Sequence, residues 1–300
     1  MKAAEIRRIL VIGGGTMGSQ IALHFASHGM EVLIYDLNED ILAKTMNSIA
    51  KMTNHLVRGQ RLTPGDTEAA ISRITTTTVP EAAAAVDLVS ESIPEDPVLK
   101  GETFSLFHRF CPERTVFTTN TSTLLPSMFA AASGRPEKFL ALHFHDLRIT
   151  KVVDIMPHGG TDAEVVKLVR DFALRMDLAP IMMSKESSGY IFNAMYGALL
   201  NSALTLAANK VASCEDIDRA WMGVMRMPIG PFGMMDGNGL DTVWKISHYW
   251  ASRSKDKQQL KNAAFLKEYV DRGELGQKSG KGFYVYPQPS FLAPGFVEGK

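Results

Sequence analysis

The stretch Ile9-Leu10-Val11-Ile12-Gly13-Gly14-Gly15-Thr16-Met17-Gly18 sets a short apolar run directly before a glycine cluster. Gly13, Gly15 and Gly18 satisfy G-x-G-x-x-G. Glycine-rich turns are common, so the context decides. Residues 16–28 carry apolar side chains at helical spacing, and the run Val32-Leu33-Ile34-Tyr35 then ends in Asp36. Strand, glycine turn, helix, strand and acid in this order are what a dinucleotide site requires. Gly13 allows the tight turn, and Gly15 lets backbone N–H groups approach a pyrophosphate. Gly18 lets helix and strand pack closely. Thr16 and Met17 open the helix, whose N-terminus favours phosphate charge. Asp36 is placed to accept from the adenosine ribose hydroxyls and to repel a 2′-phosphate. The expected cofactor is NAD, not NADP.

The alternation continues outward from this unit. Runs of strand length lie at 88–93, 115–118, 139–144 and 152–155, with a last one at 179–183. Segments 39–57, 98–110 and 163–174 between them have helical spacing. Such alternation predicts a mostly parallel sheet with helices on both faces. After Ser187 the pattern changes, and 189–212, 215–226, 239–252 and 260–272 read as helices. Ser213 is a candidate cap for the second. Pro228, Pro231 and the glycines between 230 and 239 interrupt the helical pattern. The expected fold is therefore α/β: a Rossmann-like, doubly wound parallel sheet over residues 1–186, followed by an all-helical domain over 187–300.

Composition bounds the partners. The 300 residues carry 32 Lys+Arg against 32 Asp+Glu. That balance argues against nucleic acid, whose phosphates call for a basic excess. The only cysteines, Cys111 and Cys214, cannot form a disulfide framework, which fits a reducing compartment such as the cytoplasm. The most apolar stretch, 189–208, holds Asn193, Asn201, Ser202 and Thr205 and reads as a buried helix, not a membrane span. No targeting segment is expected, because the apolar run at 9–12 is short and leads straight into the glycines.

Ligands of open α/β sheets sit beyond the carboxyl ends of the strands. That rule selects Glu95, the segment Thr119-Asn120-Thr121-Ser122, and His143 with Asp146 beyond it. A histidine can take a proton from an alcohol while the carbon gives hydride to a nicotinamide. His143 is the candidate, with Asp154 as its orienting acid. His145, two residues on, points the same way if the strand continues, and so competes. Ser122 could donate to a substrate oxygen or to the nicotinamide end of the cofactor. Equally, Thr121 or Ser122 could cap a helix starting at Thr123. Asn193 could serve the site or a helix–helix hydrogen bond. His24 and His28 read as packing or surface residues, and His158 as solvated. No metal site is expected: H-E-x-x-H, C-x-x-C and carboxylate clusters at metal spacing are missing. G-x-S-x-G is missing too, which removes the nucleophile-elbow hydrolases.

With these residues in hand, the chain resembles the 3-hydroxyacyl-CoA dehydrogenase family from Ile9 to about Tyr286. The resemblance is carried by the glycine turn, Glu91-Ser92-Ile93-Pro94-Glu95, Thr119-Asn120-Thr121-Ser122 and Leu142-His143-Phe144. It continues through Gly189-Tyr190-Ile191-Phe192-Asn193, Met227-Pro228-Ile229-Gly230-Pro231-Phe232, Leu240-Asp241 and the tail from Gly276 to Tyr284. It implies NAD-dependent oxidation of the 3-hydroxyl of an acyl-CoA, and the reverse. His143 falls on the family's general base and Asp154 on its acidic partner, a Glu in most members. Ser122 and Asn193 fall on positions expected to contact the substrate oxygen. Glu95, Lys100 and Ser122 fall on positions that contact NAD, and Asn120 and Lys278 join that set. The resemblance also implies a homodimer through the helical domain.

One stretch departs from the family. Most members follow the histidine with Phe-Phe-Asn-Pro-Val-Pro, whereas here Phe144-His145-Asp146-Leu147-Arg148-Ile149 follows. A carboxylate at Asp146 would favour a charged His143 by opposite charge. Two rival readings share much of this pattern. One is a related dehydrogenase on a free hydroxy acid, of the gulonate or carnitine type. The discriminator is a CoA phosphate site, for which Arg58 and Arg61 are candidates. The other is a non-catalytic, crystallin-like NAD-binding protein.

Overall fold

The computed structural model describes residues 1–59 and 62–300. The chain forms two compact units, Met1–Ile191 and Phe192–Lys300.

The first unit is built on an eight-stranded sheet. Its strands are β1 (Arg8–Ile12), β2 (Glu31–Tyr35), β3 (Ile74–Thr77), β4 (Leu88–Glu91), β5 (Val116–Thr119), β6 (Phe139–Phe144), β7 (Val152–Pro157) and β8 (Ala179–Met182). Their spatial order is β3-β2-β1-β4-β5-β6-β7-β8. The order reverses between β1 and β4, which is the switch point of a doubly wound sheet. Every pairing is parallel except β6 with β7. The connection over 145–151 is too short for a crossover, which needs about a dozen residues, so β7 must run back along β6.

The helices are α1 (Thr16–Ser27), α2 (Glu39–Arg58), α3 (Pro64–Ile71), α4 (Pro97–His108) and α5 (Ala163–Arg175). Local chemistry starts them. Asp96 accepts from the Val98 and Leu99 N–H groups, and Pro97 takes the first turn, where no N–H is needed. Thr63 and Asp66 form a capping box ahead of α3. The inner strands β4, β5 and β6 are buried throughout, whereas the edge strands β3 and β8 are largely exposed. One core holds Ile9, Val11, Phe25 and Phe172, and the other Leu10, Phe104, Phe117 and Phe139. No helix begins at Thr123. Thr121 instead accepts from Leu124 N–H in a turn, because its hydroxyl is itself turned to Glu95.

The second unit contains α6 (Phe192–Ala208), α7 (Cys214–Met225), α8 (Pro231–Asn238), α9 (Leu240–Ser254) and α10 (Lys257–Asp271). Ser213 caps α7 as expected. The interruption expected at 230–239 is instead the helix α8. Pro231 is compatible there because it occupies the first turn. The N-terminus of α8 is satisfied from a distance: Asp218 accepts from Phe232 and Gly233 N–H at 2.8 and 2.9 Å, and from the Tyr284 hydroxyl at 2.9 Å. A Cβ on Gly230 would lie 2.4 Å from the Asp218 carboxyl carbon, so the approach needs glycine. Asp236 likewise receives Phe283 and Tyr284 N–H groups. By packing the units divide after Ile191, with Tyr190 in the first unit's interior.

No helix among the described residues is long and apolar enough to cross a membrane.

Candidate active site at the sheet edge

The glycine turn takes the shape its residues predict. Gly13 has φ +99°, and a Cβ there would lie 2.7 Å from the Ser92 carbonyl oxygen. A Cβ on Gly18 would fall 1.8 Å from the Gly13 carbonyl oxygen, so only glycine lets α1 approach β1 this closely. At Gly15, by contrast, a Cβ would meet no atom within 4 Å. Gly15 is the N-cap of α1, which has no side-chain cap. This is a cradle suited to a pyrophosphate on free N–H groups. Asp36 closes the turn, with Oδ2 accepting Gly14 N–H at 2.8 Å and Oδ1 accepting Leu37 N–H at 2.7 Å.

A cleft of about 320 Å³ continues along the carboxyl edge of the sheet, lined by Met17, Ser92, Glu95, Lys100, Asn120, Ser122 and His143 among others. Glu95 is the hub of one network. Its Oε1 accepts Ser122 N–H at 2.7 Å and the Ser122 hydroxyl at 3.1 Å, and its Oε2 accepts the Thr121 hydroxyl at 2.7 Å. Burial alone would raise this carboxyl, but these donors and nearby Lys100 hold it below its ordinary value. Lys100 lies on the cleft floor, only 1% exposed. Its ammonium donates to Glu91 at 2.5 Å and to the Ile93 carbonyl at 3.1 Å. Asn120 joins strand ends, accepting Phe144 N–H at 2.7 Å and donating to the Ser92 hydroxyl at 3.3 Å.

His143 and Asp154 lie opposite each other in the β6–β7 ladder. Cross-strand neighbours share a face of the sheet, and His143 Nδ1 meets Asp154 Oδ2 at 3.0 Å. The chain beyond β6 carries His145 to the same side, and its Nε2 is also 3.0 Å from Asp154 Oδ2. Burial would raise the Asp154 carboxyl, but the two imidazole donors outweigh it and bring it down to about 2. An ionised carboxylate only accepts, so Nδ1 of His143 carries hydrogen and its Nε2 is left with the lone pair. Asp146, expected to act electrostatically on His143, instead turns to Arg148 at 2.8 Å. The loop itself is tied to α1 through Leu147 N–H and Gln20 Oε1 at 2.9 Å.

The sequence assigns Tyr190 no chemical role, although Gly189 before it marks an unusual backbone. Both residues have positive φ, +78° and +54°. This conformation is uncommon for tyrosine and turns its ring onto that of His143, with centroids 4.6 Å apart. Among the described residues its buried hydroxyl has no hydrogen-bond partner.

The first unit thus brings together Gly13, Gly15, Thr16, Met17, Gly18, Asp36, Glu95, Lys100, Asn120, Ser122, His143 and Asp154 along one edge. Asn193 and Lys278 belong to the second unit. Asn193 lies in the first turn of α6, and Lys278 pairs with Asp241. Arg58 sits at the end of α2, and Arg61 lies outside the described residues. Two further histidines have local roles. His24 is bonded to the Met176 carbonyl, and His158 to the Pro136 carbonyl rather than solvent alone.

Comparison with known proteins bears on this geometry. Residues 8–187 match the family model described as 3-hydroxyacyl-CoA dehydrogenase, NAD binding domain, and residues 189–286 match its C-terminal domain. The human protein named hydroxyacyl-coenzyme A dehydrogenase, mitochondrial, is 33% identical over 294 residues, covering 95% of this chain and 93% of its own. A Bacillus subtilis protein named probable 3-hydroxybutyryl-CoA dehydrogenase is 30% identical over 285 residues, covering 95% and 99%. The solved structure of a diketoreductase, described as acting on dicarbonyl compounds, superposes with a TM-score of 0.87 at 35% identity, covering 94% and 99%.

Proposed function

Since the chain belongs to the 3-hydroxyacyl-CoA dehydrogenase family and is an NAD-dependent oxidoreductase, we propose that it interconverts (S)-3-hydroxyacyl-CoA and 3-ketoacyl-CoA, with His143 as the proton acceptor. The observation that carries the reading is the Asp154–His143 pair at the cleft edge.

The residues present fit NAD. The N–H groups of the turn and of the first residues of α1, from Gly13 through Gly15, Thr16, Met17 and Gly18, would hold the pyrophosphate, and Asp36 the adenosine ribose. Glu95, Lys100, Asn120 and Ser122 would border the nicotinamide end. When bound, NAD takes the hydride from the carbinol carbon, and its reduced form returns it. His143 Nε2 receives the hydroxyl proton. Asp154, buried and ionised, holds the ring by its Nδ1–H and stabilises the imidazolium. Ser122 donates to the substrate oxygen once its hydroxyl turns from Glu95. Tyr190 backs the imidazole and limits its rotation.

A second reading is favoured by the diketoreductase: reduction of a free dicarbonyl compound, without CoA. Free hydroxy acids of the gulonate or carnitine type belong to the same test. NADH oxidation is followed with acetoacetyl-CoA, free acetoacetate and a simple diketo ester in parallel. Activity on the thioester, abolished in His143→Ala, supports the acyl-CoA reading. Activity on the free compounds alone overturns it in favour of the second.

We further place the enzyme in fatty-acid metabolism, in a reducing compartment such as the cytoplasm, where the free thiols of Cys111 and Cys214 persist. We assign it a homodimer through the helical unit, whose exposed Met195, Val224, Ile246 and Trp250 suit a partner surface. Light scattering on the purified protein tests the dimer, and a monomer at micromolar concentration would exclude it.

A further inference from the structure

We propose that His145 is a positioning residue for proton transfer at His143, acting through Asp154. The inference deepens the reading above and rests on His143 being the proton acceptor.

Asp154 is 1% exposed. Among the described residues its side chain has two hydrogen-bond partners, His143 Nδ1 and His145 Nε2, both 3.0 Å from the same oxygen, Oδ2. The two imidazole rings are 4.7 Å apart and inclined by 72°. Because Oδ2 accepts twice, both facing nitrogens carry hydrogen. His145 is therefore a donor to the carboxylate, not a second acceptor for the substrate proton at that nitrogen.

Two consequences follow. A carboxylate held by one donor can swing about its last bond, whereas one held by two donors two residues apart, one in β6 and one just beyond it, cannot swing without breaking one of them. His145 thus keeps Oδ2 on the His143 side of β7. It also draws on the same negative charge that stabilises the His143 imidazolium, so it tempers the hold of His143 on its proton. The first effect raises the turnover rate. The second places the acid limb of the pH profile lower than Asp154 alone would place it.

The groups facing this carboxylate are few. His143 comes from β6 and His145 from just beyond it. Tyr190 lies across the His143 ring, and burial with neighbouring Glu95 raises its hydroxyl well above the ordinary range, so it stays neutral. From β8 the partner of Asp154 is Ile181, which is apolar. Asp146 and Arg148 pair with each other on the loop. The acid limb accordingly reports the His143–Asp154–His145 set as a unit.

The test compares His145→Phe, which keeps a flat ring without the donor, with His145→Gln, which keeps an N–H at similar reach. NAD reduction on (S)-3-hydroxybutyryl-CoA, the direction in which His143 must be unprotonated, is measured from pH 5 to 9 alongside wild type and His143→Ala. For His145→Phe the expected result is about a tenfold lower kcat, KM within about twofold, and an acid limb displaced to higher pH. His145→Gln should recover most of the turnover. Unchanged kcat and limb in His145→Phe would overturn the proposal. So would equal losses in both variants with an unmoved limb, which would mark a packing role. If His145→Phe does not fold, the Gln variant and a His145→Asn variant, whose shorter amide cannot reach Oδ2, supply the same contrast. Full activity in His143→Ala would overturn the underlying reading itself, a result distinct from any failure at His145.

Discussion

His143 Nδ1 lies 3.0 Å from Asp154 Oδ2 because the two residues are direct partners in the one antiparallel pairing of the sheet. A slip of one residue would send Asp154 to the opposite face and leave the imidazole without its acid. The dyad is therefore a property of register, and the register is held by the short loop that turns β6 into β7.

Removing either member should stop turnover without unfolding the protein. His143→Ala and Asp154→Asn are each expected to lower kcat by about 10²- to 10⁴-fold. In the second case an amide N–H facing Nδ1 favours the wrong tautomer. Steady-state kinetics with circular dichroism as a folding control checks this.

Asp154 also makes a signed prediction for stability. Its folded carboxyl is depressed from 3.8 to about 2. A depressed group contributes stability that is present above the unfolded value and lost as pH falls through the folded one. The contribution is about 2 kcal/mol. The stability difference between wild type and Asp154→Asn should therefore shrink between pH 4 and pH 2. Urea unfolding at stepped pH measures it, and a constant difference would contradict the assignment.

Two glycines of the turn should separate folding from cofactor binding. Gly18→Ala drives a methyl into the Gly13 carbonyl and should lower Tm markedly. Gly15→Ala meets nothing in the protein and should leave Tm nearly unchanged, while weakening NADH binding by about tenfold or more. Thermal melts and NADH fluorescence titrations distinguish the two.

Lys100 is a second point where folding and site meet. Burial pulls the Glu91 carboxyl upward, while Lys100, the Thr119 hydroxyl and the Ile93 N–H oppose that pull. Lys100→Met leaves Glu91 buried without its cation and should destabilise by about 3–5 kcal/mol. Adding Glu91→Gln should recover much of the loss. Chemical denaturation of the single and double variants reads the coupling, and additive losses would refute it.

Asp36 should govern the choice of cofactor. Asp36→Ser removes the charge that repels a 2′-phosphate and should raise the NADPH to NADH ratio of kcat/KM by about tenfold or more. Because Asp36 also accepts the Gly14 N–H, some loss with NADH should accompany the change.

Much of this is legible in the sequence. The glycine turn, the acid after β2 and the strand-end positions of Glu95, Asn120, Ser122 and His143 follow from local rules: backbone freedom at glycine, periodicity, and the convergence of parallel strand ends. Other features resisted. Pro231 reads as a breaker when only its neighbours are considered, yet Asp218 reaches across the chain to satisfy the helix that Pro231 begins. Tyr190 lies in a stretch that carries the resemblance but has no chemical role legible there, and its contact with His143 depends on two left-handed residues in succession.

What local sequence decides here is the identity of the cofactor cradle and the order of the elements, since glycine geometry, hydrophobic period and capping act over a few residues. What folding decides is which side chains share a partner. Asp154 serves two histidines, Lys100 is drawn inside by Glu91, and Asp146 turns away to Arg148. Strand direction, register and burial bring distant residues within hydrogen-bonding range, and none of these is encoded by any single stretch of the chain.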